Sequence, residues 1–135
     1  MHVDQNQDEP GFGFFAGLDW GGSFHQLCLL SPDGGVILQQ QIPHDVAGLA
    51  MLQAQLVQRP GPGVIASERA EGLLVEFLLT LPELKVYCVS PKISARARER
   101  YRLSASKSDA FDAFVLADTL RHEHHRWRPL SQPSA

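Results

Sequence analysis

Four carboxylates stand where the sequence predicts the edge of a sheet and the start of a helix. Asp19 ends the first predicted strand and Glu68 follows the fourth, and acids at the carboxyl ends of strands mark ligand sites in open α/β sheets. Asp109 and Asp112 are three residues apart at a predicted helix start, so they share one helix face. Because that face continues through apolar residues, both acids tilt toward the protein body, where like charges are costly without a cation.

These oxygen ligands predict a site for Mg²⁺ or Mn²⁺, which keep several waters and bind substrate phosphates. Two such ions stabilise the attacking and leaving oxygens of a phosphodiester displacement. We therefore predict catalytic and metal-binding roles for Asp19, Glu68, Asp109 and Asp112. The alternative is that loop acids and favourable contact with a helix dipole account for them.

The charge of the chain is divided unevenly, and this division suggests a binding partner. Residues 1–84 hold two basic and ten acidic residues, whereas residues 85–135 hold ten basic and five acidic ones. Cationic side chains can displace counterions from nucleic-acid phosphates, although a solvated helix face has the same composition. We predict that nucleic acid contacts the basic segment, defined as Lys92, Arg96, Arg98, Arg100, Arg102 and Lys107.

The apolar pattern predicts an α/β domain in which strands and helices position these residues. An Asp-Gly turn at Asp33-Gly34 joins two of three antiparallel strands, and helices alternate with strands afterwards. The predicted strands are 12–19, 24–30, 36–42, 64–67 and 85–89. The predicted helices are 45–58, 71–81, one that starts at Ser90-Pro91, and one from Ser108 to about His124.

Composition limits the class of protein. A chain of 135 residues, 44% hydrophobic and 20% charged, can bury one core, and we expect a polar, disordered leader over residues 1–11. Cys28 and Cys88 lie far apart in apolar runs, which argues for a reducing cytosol rather than a disulfide framework. No apolar stretch approaches the length of a membrane span, so we expect no membrane association.

The acids and their surroundings resemble a known family. The order Asp19, Glu68, Asp109-x-x-Asp112, with the segment 98–118 around the last pair, is similar to the insertion-sequence transposases of the IS-one-ten family, which are related to the Piv DNA invertase. The resemblance covers about residues 17–130. It implies a ribonuclease-H-like (RuvC-like) DEDD domain with a mixed five-stranded sheet, three strands of it antiparallel, and flanking helices. It also implies that the four acids bind metal and that Lys107 matches the basic residue before Asp-x-x-Asp.

The resemblance also implies what accompanies such a domain. We expect a catalytic domain over residues 12–128 and a tail over 129–135, without the family's C-terminal domain and its serine for strand exchange. The function it implies is DNA transposition by metal-dependent cleavage and strand transfer, in the bacterial cytoplasm at the nucleoid. The intact enzyme would be a homo-oligomer with a guide RNA encoded by the element, and the isolated chain would be inactive or weakly active.

Two alternatives stay open at this stage. The first is a nucleic-acid-binding or docking module, a remnant of a transposase that binds a cation without cleaving DNA. The second is a nucleotide-binding domain of the actin and sugar-kinase type, whose further glycine-rich phosphate loops the sequence lacks. We also expect Gly17 to leave room for a ligand beside Asp19, and the second apolar side of the last helix, around Phe111, Phe114 and Val115, to dock onto another helix, chain or domain.

Overall fold

A computed structural model describes residues 11–59, 61–101 and 108–131. The strands are β1 (Phe14–Asp19), β2 (Phe24–Leu30), β3 (Val36–Pro43), β4 (Gly63–Ser67) and β5 (Leu84–Cys88). The helices are α1 (Val46–Val57), α2 (Leu73–Leu79), α3 (Pro91–Tyr101) and α4 (Asp109–Glu123), and a short 3-10 helix, His124–Arg126, follows α4. The order of elements is the one predicted from the sequence. The predicted leader lies outside the described residues except for Gly11.

The five strands form one mixed sheet in the order β3-β2-β1-β4-β5. β1 pairs antiparallel with β2, and β2 pairs antiparallel with β3. β4 pairs parallel with β1 and with β5, so the last residues of these strands meet at one edge. This confirms the predicted mixed sheet with an antiparallel three-strand side, and it brings the ends of β1 and β4 together.

Each face of the sheet carries its own apolar core. Alternate residues of a strand point to opposite faces, so Phe14 and Leu18 lie in one core while Phe15 lies in the other. The α1–α2 core packs α1 and α2 on the first face and includes Phe14, Leu18, Leu27, Leu29, Ile42, Leu52, Leu56, Ile65, Leu74, Leu78 and Val86. The α4 core packs α4 on the second face and includes Phe15, Cys28, Leu30, Val64, Ala66, Tyr87, Ala113, Leu116, Ala117 and Leu120.

At Gly17 the backbone of α4 packs directly against β1. A Cβ at this position would lie 2.2 Å from the carbonyl oxygen of Ala113 and 2.6 Å from the amide nitrogen of Ala117. The expectation that Gly17 leaves room for a ligand is therefore wrong, because the helix backbone fills that space. The glycine instead brings α4, which carries two of the four acids, against the strand that carries Asp19.

The second apolar side of α4 is mostly buried within the chain. Val115 is fully buried and Phe111 and Phe114 are half-buried, and Phe114 packs against the α4 core. Helix α3 also packs against α4. The expected docking of this side onto another helix, chain or domain stays a prediction.

The start of one helix differs from the prediction for a clear physical reason. Helix α2 starts at Leu73 rather than Glu71, because Gly72 has a φ of 118°, a left-handed conformation that a helix cannot include. In the predicted tail, Leu130 packs against the α1–α2 core, and its N–H donates to the carbonyl oxygen of Val86 over 2.7 Å. Among the described residues, no helix is long and apolar enough to cross a membrane.

Candidate metal centre

Three of the four predicted acids meet at the edge of the sheet. Asp19, at the end of β1, offers a carboxylate oxygen that lies with oxygens of Asp109 and Asp112 inside a span of 4.8 Å. Asp19 is half-buried, Asp109 is exposed and Asp112 is 8% exposed, so the group is open on one side and buried on the other. Hard oxygen donors in this arrangement fit a divalent cation such as Mg²⁺.

The local sequence of α4 explains why two acids stand there. Ser108 caps the helix by accepting a hydrogen bond from the N–H of Phe111 over 3.1 Å, and this fixes the first turn at Asp109. Acids in a first turn are stabilised by the positive end of the helix dipole. The contact between Gly17 and α4 then sets the distance from these two acids to Asp19.

Glu68 lies at the same edge of the sheet but belongs to a different set of contacts. Ser94, fully buried on α3, donates a hydrogen bond from Oγ to Glu68 Oε2. Arg98 lies one turn further along α3, and its Nη1 is 3.8 Å from the same Glu68 oxygen. The Nε of Arg98 is also 3.8 Å from Asp112 Oδ1, so its guanidinium lies between Glu68 and the three-acid group.

Ser94 and Arg98 were not identified as parts of the metal centre from the sequence. Their spacing of four residues places them on one face of α3, and this spacing can be read from the sequence. The face is not visible as a site until the fold brings α3 beside the end of β4. Arg98 was predicted to bind nucleic acid, and its contacts with Glu68 and Asp112 add an internal role for this residue.

The other members of the basic segment divide into two groups. Lys92, Arg96 and Arg100 are exposed on α3 and four residues apart, so they form one basic stripe on the outside of that helix. Arg102 and Lys107 lie outside the described residues. The described part of the basic segment therefore presents three cations to solvent and directs one, Arg98, to the acids.

A second group of side chains lies at this edge of the sheet, on the face that carries the α1–α2 core. It consists of Trp20, His25, His44 and Arg69. Trp20 packs edge-on against His25, with ring centroids 5.4 Å apart, and the guanidinium of Arg69 lies 4.6 Å from the centre of the Trp20 ring. His25 is buried, and its Nδ1 accepts the N–H of Gly21 over 3.2 Å while its Nε2 is 2.9 Å from His44 Nδ1.

This environment lowers the pKa of His25. Burial is the largest cause, followed by the neighbouring His44 and Arg69. The neutral ring fits the hydrogen bonds, because Nδ1 must remain an acceptor for the N–H of Gly21. His25 thus stabilises the turn that directly follows the first acid.

The two cysteines have no catalytic character. Burial, with a smaller effect of Asp118, raises the pKa of Cys28 to about 12, and burial followed by Glu68 raises the pKa of Cys88. Both thiols are free of disulfide bonds. Since the thiolate is the reactive form, neither is suited to act as a nucleophile.

Comparison with known proteins gives a consistent result. A Streptomyces coelicolor protein named as a candidate mini-circle transposase for IS117 is 35% identical over 130 residues, which cover 93% of this chain and 31% of the relative. A Sinorhizobium fredii protein named as candidate transposase y4uE is 32% identical over 122 residues, which cover 87% of this chain and 34% of the relative. The chain thus spans about a third of the length of these curated relatives.

The family match covers nearly all of the described fold. Residues 16–135 match the family of DEDD transposases of the IS110 type, whose description is "Transposase". The matched segment begins in β1 and contains all four predicted acids. The chain therefore belongs to the DEDD transposase family, and it carries the ribonuclease-H-like domain of an insertion-sequence transposase.

Proposed function

We propose that this chain supplies the metal-binding half of an active site that cleaves and joins DNA phosphodiesters when an insertion sequence transposes. One observation carries the proposal: the carboxylates of Asp19, Asp109 and Asp112, from two separate elements, offer oxygens within 4.8 Å of one another. Bringing three like charges together is costly unless a cation offsets them. A domain over residues 12–128 and a tail over 129–135 fit this role.

The proposed cofactor is Mg²⁺ or Mn²⁺, held by Asp19, Asp109 and Asp112. The donor set supports it, since small divalent cations prefer carboxylate oxygens and retain waters for a phosphate to replace. When bound, the cation would stabilise the charge that develops on the phosphodiester oxygens. Glu68 is the fourth acid in this proposal, and Ser94 and Arg98 orient it at the rim of the group.

The proposed partner is DNA, whose backbone would contact the basic stripe of Lys92, Arg96 and Arg100 on the outside of α3 and reach the acids beside Arg98. Cationic side chains on one helix face support a phosphate contact. For the full-length protein we further propose a homo-oligomer, a guide RNA encoded by the element, and action at the nucleoid in the bacterial cytoplasm. The isolated chain would be inactive or weakly active, because it spans only a third of its relatives.

A second candidate is a module that binds nucleic acid without cleaving it. Arg98 favours this candidate, because its guanidinium lies 3.8 Å from both Glu68 and Asp112 and offsets part of the negative charge without a metal. Nicking of a supercoiled plasmid in Mn²⁺ separates the two candidates. Nicking that Asp112→Asn abolishes supports the cleaving enzyme, whereas metal-dependent DNA binding without nicking supports the module.

The proposal predicts that the metal couples to DNA binding. Without a cation the three carboxylates repel a phosphate, so the affinity for a labelled duplex should rise when Mg²⁺ replaces EDTA at constant ionic strength. The double variant Asp109→Asn/Asp112→Asn should bind DNA equally well with and without Mg²⁺. Fluorescence anisotropy measures both affinities.

A matched control separates this effect from a change in net charge. Glu71→Gln/Glu76→Gln removes two exposed acids that do not belong to the three-acid group and should respond to Mg²⁺ as the wild type does. A wild type whose DNA affinity ignores Mg²⁺, or a double variant that keeps the full response, would contradict the proposal.

A further inference from the structure

Arg69 and Trp20 form a stacked pair beside the acids. Each directly follows one of the strand-end acids, Trp20 after Asp19 and Arg69 after Glu68. Because β1 and β4 are adjacent and parallel, with Leu18 paired to Ser67, the chains leave the sheet side by side. The Arg69 guanidinium lies 4.6 Å from the centre of the Trp20 ring. The backbone N–H of Arg69 donates to Ser67 Oγ over 3.0 Å.

The platform beneath Arg69 is well supported. The Trp20 ring packs against the α1–α2 core and edge-on against His25. His25 is itself held in place by its hydrogen bonds with Gly21 and His44. A planar guanidinium that stacks on an aromatic face keeps its N–H groups directed sideways, where they can bind a phosphate with two parallel hydrogen bonds. The stack therefore orients Arg69 while its side chain stays exposed.

Among the described residues, three other arginines form ion pairs with carboxylates and Arg69 does not. Arg98 pairs with Glu68 and Asp112, Arg121 with Asp118, and Arg126 with Glu123. Within the described ranges, no carboxylate lies within ion-pair distance of the Arg69 guanidinium. Arg69 is also one of only two basic residues among the first 84, so it is an isolated cation in an acidic half of the chain.

Arg69 lies on a different face of the sheet from the basic stripe. Trp20 and Arg69 lie on the α1–α2 side of the sheet edge, whereas α3 packs with α4 on the opposite side. Asp19, which directly precedes Trp20, meets Asp109 and Asp112 of α4 at this edge. A polyanion that crosses the acids toward the α1–α2 side would thus pass close to Arg69.

We propose that Arg69, oriented by its stack on Trp20, binds a backbone phosphate of the nucleic acid on the side of the acids away from α3. This inference rests on the proposed function, because it assumes that nucleic acid crosses the metal centre. It assigns a strand-positioning role to a residue outside the basic segment. Arg69 holds the backbone and takes no part in bond breaking.

The test is the salt dependence of binding to a labelled DNA duplex, measured with this chain in Mg²⁺. Each phosphate contact contributes about 0.9 to the slope of log K against log salt, so Arg69→Ala should lower the slope by about 0.9. At about 0.1 M salt that contact corresponds to an approximately eightfold loss of affinity. Arg69→Lys should keep the slope and bind less tightly than wild type, because an ammonium lacks the planar fork.

Lys85→Ala is the matched control, since Lys85 is exposed near the start of β5, at the opposite edge of the sheet. A salt slope for Arg69→Ala equal to that of Lys85→Ala would overturn the proposal. A slope equal to that of the wild type, combined with a lower melting temperature, would also overturn it, because Arg69 would then have a purely structural role.

Calorimetry keeps this proposal separate from the proposed function: Arg69→Ala should bind Mg²⁺ as the wild type does. Failure of the wild type to bind Mg²⁺ would remove the proposed function, and the comparison of slopes would still decide the role of Arg69.

Discussion

Gly17→Ala tests how the fold builds the metal centre. The added Cβ would lie 2.2 Å from the carbonyl oxygen of Ala113 and 2.9 Å from Leu116 Cβ. Ordinary van der Waals contact needs about 3.4 Å, so α4 must move away from β1 by about 1 Å. The obstacle is mainly helix backbone, which cannot turn aside as a flexible side chain would.

Two consequences follow from that displacement. Overpacking of this kind costs roughly 1–3 kcal/mol, which corresponds to a fall in melting temperature of roughly 4–10 °C for a domain of this size. Asp109 and Asp112 move with α4, so their distance from Asp19 increases. Because Mg²⁺ demands near-ideal octahedral geometry, we expect its affinity to fall about 10- to 100-fold.

Thermal denaturation and calorimetric titration with Mg²⁺ measure the two effects on one sample. Gly22→Ala is the matched control, because a Cβ there has no atom within 4 Å and the residue lies in the turn after Trp20. We expect the control to differ little from the wild type in both measurements. If Gly17→Ala kept the melting temperature and the Mg²⁺ affinity of the wild type, the argument that this contact sets the acid geometry would be refuted.

Two further predictions concern pH and salt. Because the folded protein lowers the pKa of His25 below its ordinary value of 6.5, the unfolded chain takes up the proton first on acidification, so the free energy of unfolding should fall as pH drops below 6.5. Denaturant titrations should show that His25→Asn, which removes the titrating ring, is less sensitive to pH in this range. Removing Lys92, Arg96 and Arg100 together should lower the salt slope of DNA binding by about 2.7 if each contacts one phosphate. The triple variant Lys85→Ala/Arg126→Ala/Arg128→Ala, with the same change in charge, should lower it much less, and equal effects would argue against a specific basic stripe.

Local sequence patterns account for most of the fold. The order of strands and helices follows from apolar periodicity, the Asp33-Gly34 turn and the Ser-capped helix starts, all of which act within a few residues. The start of α2 was misplaced because the left-handed conformation of Gly72 is a backbone property that composition does not reveal. Local rules thus predict the elements well and their ends less well.

The metal centre was predictable in its acids but not in its supporting contacts. Asp109 and Asp112 share a face by helical spacing, and Asp19 ends a strand, so their types and positions point to a cation. The role of Gly17 depends on a helix about a hundred residues away along the chain, and the hold of Ser94 and Arg98 on Glu68 depends on α3 reaching the end of β4. These are tertiary contacts between distant segments, and local patterns in one sequence do not say which segments will meet.

Calorimetric titration of this chain with Mg²⁺, beside Asp109→Asn/Asp112→Asn, tests the central claim most directly. Circular dichroism establishes that both samples are folded, and Glu71→Gln/Glu76→Gln controls for the change in charge. We predict that the wild type and the control bind Mg²⁺ and that the double aspartate variant does not. A folded wild type that binds no Mg²⁺, or a double variant that binds it as tightly as the wild type, would contradict the assignment of these acids as a metal centre.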